Sequence, residues 1–185
     1  MWPWGHLGVG YLCYVFWVHG SDSREQTFLT LLAMGFGTQF PDIIDKPLAW
    51  SFELLPSGRS LAHSLLTASL ILAVVYWIGH RRHRTDLVTA FGIGYLSHSF
   101  ADLGPTVVFG LLYGDMSQVQ WTTYLLWPVL PSPPYPSDSA FMDHLMAFRF
   151  EPYVIVQFLI FGVGIFVWIA TGTPGLNSVR DRITR

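Results

Sequence analysis

Histidine and carboxylate side chains recur in this sequence within segments that are otherwise apolar. An ionisable group is costly in an apolar setting, so each of them is a candidate for a functional role. Imidazole and carboxylate groups together are ordinary ligands for Zn²⁺, Mn²⁺ or Fe²⁺. The candidate metal ligands are His6, Asp42, Asp45, His63, His98, Asp102 and Glu151.

The spacing of two pairs brings their side chains together. His98 and Asp102 stand at positions i and i+4, so they share one face of a helix. Asp42 and Asp45 stand at i and i+3 and do the same if their helix extends that far. Seven candidates exceed one four-coordinate site. We therefore expect one or two divalent metal ions, Zn²⁺ first and Mn²⁺ or Fe²⁺ next, with some residues supporting the ligands through hydrogen bonds.

Other roles stay open for several of these residues. Asp42 could instead cap a turn, and Asp45 could form a solvated pair with Lys46. His6 could be a hydrogen-bonded interior residue. Glu151 could stand at a helix N-terminus, where a negative charge is favoured. It is the convergence of the whole set that favours a metal site.

The elements that must position these side chains are apolar helices. Of 185 residues, 51% are hydrophobic and only 12% are charged, and the mean hydropathy is +0.41. Soluble domains carry roughly 25% charged residues. The sequence therefore predicts an all-α, polytopic membrane helix bundle in a single domain over 1–185. A bilayer needs about 20 apolar residues per helix, and the predicted transmembrane segments are 4–19, 27–44, 61–79, 87–103 and 153–170.

The segment 104–152 is less regular. Residues 106–113 and 121–130 are apolar but too short to cross a bilayer singly. We expect them to form a re-entrant pair, interfacial helices or part of a cap.

Antiparallel alternation of five helices places all seven candidates at one end of the bundle. Most Lys and Arg residues fall at the other end, which the positive-inside rule makes cytoplasmic, so the candidate site faces outside. The formal net charge of −2 provides no basic field for nucleic acid. The basic residues that indicate this orientation are Arg24, Arg81, Arg82, Arg84, Arg180, Arg182 and Arg185.

The order of the motifs is itself informative. His6 is followed by the run Pro41-Asp-Ile-Ile-Asp45, by Arg59 before His63-Ser64, by Ser97-His98 with Asp102, by Leu126-Trp-Pro-Val-Leu130 and by Glu151. Over residues 4–160 this order resembles the membrane-bound metal-dependent hydrolase family, the YdjM-like proteins. One departure is that the family usually reads His-Arg-Gly before a Thr-His-Ser stretch. This sequence reads Gly58-Arg59-Ser60 and Ala62-His63-Ser64 instead.

The resemblance implies a multi-span hydrolase, distantly similar to zinc-dependent phospholipase C and related nucleases. By this resemblance, the polar site positions of the family correspond here to His6, Asp42, Asp45, His63, His98 and Asp102. We expect a metal-dependent hydrolase that acts on a phosphoester or lipid headgroup at the outer membrane face, with membrane lipid as its partner. Asp42 or Asp45 is the expected general base, and Arg59 either binds phosphate or faces lipid headgroups. The alternative is a non-catalytic metal-binding scaffold or a small transporter.

Overall fold

The protein is helical throughout the residues that its structure describes. The computed structural model describes residues 1–20, 25–133, 146 and 148–176, and these ranges contain no β-strand. The all-α class is thus confirmed for this part of the chain. The helices are α1 (Pro3–His19), α2 (Phe28–Trp50), α3 (Leu65–Arg81), α4 (Thr85–Ala101), α5 (Gly104–Leu112), a 3-10 helix (Met116–Leu126) and α6 (Pro152–Ala170).

The second predicted segment is longer in the structure than in the sequence analysis. α2 does not end near residue 44 but continues through Pro41 and Pro47 to Trp50. Asp42 and Asp45 therefore both lie on the helix, about one turn apart.

The third segment begins later than predicted. α3 starts at Leu65, because Ser64 is extended and its side chain accepts a hydrogen bond from the Leu66 amide (3.2 Å). His63 consequently lies in the turn before the helix and not in its first turn. At the end of α4, Asp102 is the residue that follows the last helical position, Ala101.

α2 and α4 pack closely because two glycines face the partner backbone. A Cβ atom on Gly37 would lie 2.3 Å from the carbonyl oxygen of Phe91, and one on Gly94 would lie 2.2 Å from that of Met34. Such close approach is typical of small residues at membrane helix interfaces. α1 packs against α2, α4 and α6, and α3 packs against α4.

We predict that Gly94→Ala destabilises the protein while Gly92→Ala does not. The new methyl group at position 94 meets backbone atoms that cannot move aside, whereas at position 92 the nearest atom is Leu72 Cδ2 at 3.4 Å. Overpacking of this kind costs about 1–3 kcal/mol. Thermal unfolding in detergent is the measurement, and equal midpoints for the two variants would contradict the prediction.

Many polar side chains are buried in the bundle beside its apolar core, and many large apolar side chains are exposed. On α3 and α6, Leu70 and Phe166 are each 70% exposed. So large an apolar exterior fits surroundings of hydrocarbon better than water. The buried polar side chains include His6, Thr30, Thr38, Asp45, Ser60, His63, His98 and Gln157.

One helix within the described ranges is long and apolar enough to cross a bilayer by itself. It is α6, with a mean hydropathy of 2.3 over its most apolar stretch, and α3 is apolar but shorter. The number of transmembrane segments therefore stays a prediction.

The region after α4 covers one end of the bundle. α5 and the 3-10 helix are both too short to span a membrane. The buried Tyr124 hydroxyl donates to the carbonyl oxygen of Ser99 (2.8 Å). The Ser64 hydroxyl donates to the carbonyl oxygen of Trp127 (2.6 Å). Of the arrangements expected for residues 104–152 (a re-entrant pair, interfacial helices or part of a cap), these contacts favour part of a cap.

Candidate metal centre

Four of the predicted ligands meet at the covered end of the bundle. One ligand atom from each of Asp42, His63, His98 and Asp102 lies within 4.8 Å of every other. α2 supplies the first, the turn before α3 the second, and α4 with its following residue the last two. The antiparallel arrangement thus gathers residues that are far apart in the sequence.

His98 is oriented by the backbone of α2. Its Nδ1 lies 2.7 Å from the carbonyl oxygen of Thr38, one residue beyond the close contact at Gly37. Because a carbonyl only accepts, Nδ1 carries the proton and donates it. In the neutral ring, Nε2 is then left with a lone pair that points into the cluster.

Asp45 holds the turn that contains His63. Its carboxylate accepts hydrogen bonds from the backbone amides of Ser60 (2.9 Å), Ala62 (2.8 Å) and His63 (3.2 Å). These contacts keep the segment outside α3. The Tyr95 hydroxyl donates to the Ala62 carbonyl oxygen (2.7 Å) and ties the same turn to α4.

The same carboxylate also fixes the His63 ring. Asp45 Oδ2 lies 2.8 Å from His63 Nδ1, which therefore donates, and Nε2 of His63 faces the cluster. A carboxylate behind a histidine in this way is the usual support for a metal-binding imidazole.

The inward-facing atoms of the cluster lack their own balancing donors. Nε2 of His63 and Nε2 of His98 are 3.1 Å apart, a contact that needs a proton or a metal ion between the two nitrogen lone pairs. Asp42 Oδ1 is buried and accepts no hydrogen bond from the described part of the chain. A cation between these atoms removes both conflicts, and so the residues present fit a divalent metal ion.

The distances also agree with a metal site. A tetrahedral ion with bonds of about 2.0–2.1 Å holds its ligand atoms roughly 3.3 Å apart. His63 Nε2 lies 3.6 Å from Asp42 Oδ1 and 3.4 Å from Asp102 Oδ2. The corresponding distances from His98 Nε2 are 3.7 and 3.8 Å.

The electrostatic surroundings favour positive charge at this position. Burial by itself lowers the pKa of His63, but the neighbouring carboxylates of Asp102, Asp42 and Asp45 raise that pKa to about 10. The three carboxylates thus stabilise a cation beside His63, whether it is a proton or a metal ion.

Two basic side chains flank the carboxylates. Lys46 Nζ lies 2.6 Å from Asp42 Oδ2, and Arg59 Nε donates to Asp102 Oδ2 at 2.7 Å. A pair of Lys46 with Asp45 was the alternative expected from the sequence, whereas in the structure Lys46 pairs with Asp42 one helical turn away. Arg59 lies beside the cluster, and its two expected roles, binding phosphate or facing lipid headgroups, both stay predictions.

His6 adjoins the group of four without completing it. Its ring stacks on that of His98 with the centroids 3.6 Å apart, and its Nε2 lies 3.2 Å from Asp102 Oδ1. Neither ring nitrogen makes a hydrogen bond within the described residues. The Met1 amino group contacts the same oxygen of Asp102.

Two other predicted ligands lie outside the group of four. Asp45 stands behind His63, with both oxygens engaged by N–H groups. Glu151 is exposed at the residue before α6, the helix N-terminal position that was its alternative reading. Four residues that indicated orientation lie outside the described ranges: Arg24, Arg180, Arg182 and Arg185.

Sequence reasoning missed two supports of this site. The role of the Thr38 carbonyl group cannot be predicted from the sequence, because every residue type has a backbone carbonyl. Lys46 could have been assigned to Asp42 from the i, i+4 spacing, which is the favoured spacing for a helical ion pair.

An apolar helical exterior and a buried cluster of histidines and carboxylates define the class as a membrane protein with a candidate metal centre. Residues 1–174 match the family model described as YdjM inner membrane protein. The chain therefore belongs to the YdjM inner membrane protein family. Neither the curated proteins nor the solved structures give a significant match.

Proposed function

We propose that this protein is a membrane-bound, metal-dependent hydrolase that acts on a phosphoester. The observation that carries the proposal is the cluster itself, in which two imidazole nitrogens and two carboxylate oxygens all lie within 4.8 Å of one another. His63 and His98 would hold the ion together with Asp42 and Asp102. A bound metal ion supplies an activated water and polarises a phosphoryl oxygen.

The protein side chains divide the remaining tasks. Asp45 has both oxygens occupied and is fully buried, so the general base in this proposal is Asp42, which would hold the ion through Oδ1 and take the proton at Oδ2. Arg59 lies against Asp102 with its side chain 30% exposed, where its guanidinium can reach a phosphate at the edge of the site. We propose Zn²⁺ as the ion, with Mn²⁺ or Fe²⁺ as alternatives, because all three accept mixed imidazole and carboxylate ligands.

We also propose that α1, α2, α3, α4 and α6 all cross the membrane. The apolar exterior supports this topology, and the basic loop after α3 supports a cytoplasmic position for the end opposite the cluster. Single cysteines placed at Glu53 and at Arg82, in a Cys13→Ser background, test it by labelling from each side of the membrane. Labelling of both from the same side would contradict five spans.

The hydrolase proposal is tested with the metal-loaded protein in lipid nanodiscs. A panel of phosphodiester and phosphomonoester lipids and soluble esters is incubated with the protein, and the release of headgroup or phosphate is measured. We expect metal-dependent release that is lost when His63 and His98 are both alanine. The absence of turnover across the panel by folded, metal-loaded protein would reject the hydrolase.

A structural metal site is the second candidate, because four protein ligands can close a tetrahedral shell without an open position. X-ray absorption spectroscopy of the loaded protein distinguishes the two. Four protein ligands and no exchangeable oxygen would favour a scaffold that ties helix ends together, and an additional water ligand would favour catalysis. A transporter is less consistent with the site's place at helix ends.

A further inference from the structure

We propose that the pocket beside Asp42 binds the phosphodiester group of the substrate, with Lys46 as its anion-binding residue. The inference rests on the proposed function and names the substrate class of the same site. It adds a binding role for a pocket that lies between the start of α1 and the second half of α2.

The candidate metal centre opens on one side. The side chains of His63 and His98 are 0% exposed and that of Asp102 is 2% exposed, whereas that of Asp42 is 11% exposed. A ligand that approaches from outside therefore meets the centre past Asp42.

A pocket of about 290 Å³ lies on that side. Lys46 lies in its wall, 27% exposed, with Nζ 2.6 Å from Asp42 Oδ2 and 5.4 Å from the centre of the Trp50 ring. The ammonium group thus stands between a candidate metal ligand and an aromatic face. The other lining residues include Pro3, Gln39, Ile43 and Pro47.

The charges of the site favour an anion once a divalent cation is bound. Three carboxylates (Asp42, Asp45, Asp102) are balanced by Lys46, Arg59 and the Met1 amino group, so a divalent cation gives the site a positive formal charge. A phosphodiester is attracted to this positive charge, and its second ester group can lie against the apolar part of the pocket. When the cation neutralises the carboxylates, Lys46 can turn from Asp42 to the incoming phosphate.

The pocket walls fit the remainder of such a molecule. Ile43, Pro47 and Trp50 present apolar surface next to the lysine. A lipid and a water-soluble diester share the phosphodiester chemistry, so the experiment must separate these two sources.

The experiment measures binding by the full-length, metal-loaded protein with isothermal titration calorimetry. The probes are dihexanoyl-phosphatidylglycerol in detergent and glycerophosphoglycerol, which has the same headgroup without acyl chains. Lys46→Gln is expected to raise the Kd about tenfold or more, because a hydrogen bond to a charged group is lost. Lys46→Arg keeps the charge and is expected to retain most of the affinity. The matched control is Arg84→Gln, which removes a basic side chain paired with Asp86 at the opposite end.

Metal content is measured on every variant. If Lys46→Gln keeps its metal and binds both probes as tightly as Arg84→Gln does, the proposal is wrong. If Lys46→Gln loses metal, Trp50→Ala becomes the deciding variant, because it leaves the Lys46–Asp42 pair in place. Trp50→Ala is expected to raise the Kd at least several-fold. An unchanged Kd would overturn the proposal. Preference for the acylated probe identifies a lipid, and equal affinities identify a soluble diester. Binding without hydrolysis would reject the hydrolase but keep the binding site.

Discussion

Replacement of His63 and His98 together by alanine is expected to abolish metal binding by the purified protein. Both Nε2 atoms point into the cluster and are 3.1 Å apart, so the double variant removes half of the candidate ligand set. Loss of a supporting hydrogen bond alone costs roughly 10–100-fold in metal affinity. Loss of two ligands is expected to exceed that range. Elemental analysis of detergent-purified protein gives the stoichiometry, and we expect about one equivalent in the unchanged protein.

The matched control is His80→Ala with His83→Ala. It removes the same number of imidazoles from the end opposite the cluster, around the turn after α3. We expect it to retain full metal content. A wild-type protein that stays metal-free when Zn²⁺, Mn²⁺ and Fe²⁺ are supplied would contradict the metal centre, and the cluster would then be a buried polar network.

Asp45→Asn is expected to be the most destabilising single change near the site. The asparagine keeps the shape of the carboxylate but presents an NH₂ group to backbone amides that also donate. Breaking a buried charged network in this way costs about 3–5 kcal/mol in the free energy of unfolding. His63 also loses its acceptor at Nδ1, so metal affinity is expected to fall roughly 10–100-fold. Thermal unfolding and metal titration in the same detergent measure the two effects.

Asp86→Asn provides the comparison for this change. Asp86 is exposed and pairs with Arg84 on the surface, where such pairs contribute about 0–1 kcal/mol. If Asp45→Asn matched Asp86→Asn in both stability and metal affinity, the turn before α3 would not depend on the carboxylate.

Much of the fold and of the cluster follows from the sequence. Apolar length predicted helices at α1, α2, α3, α4 and α6, because hydrophobic runs of this size leave few alternatives. Antiparallel alternation then placed His6, Asp42, His63, His98 and Asp102 at one end. That inference needs only the order of helices, and so it does not depend on accurate helix boundaries.

The division of roles within the cluster did not follow from the sequence. Asp42 and Asp45 are equivalent in a helical pattern, and only the path of the turn after α2 decides which one receives backbone amides. The turn is irregular, and its hydrogen bonds come from main-chain groups that every residue carries. Glu151 was included as an ionisable residue beside an apolar segment, and the pattern could not show that its side chain is exposed.

The close contact of α2 and α4 through Gly37 and Gly94 also bears on how the protein is made. Asp42, Asp45 and His63 leave the ribosome first, and the hydrogen bond between Asp45 and His63 needs only these neighbouring segments. His98 and Asp102 emerge later and reach the site only when α4 docks against α2. Metal capture is therefore expected to follow helix docking, so that the bound ion marks a chain whose assembly is complete.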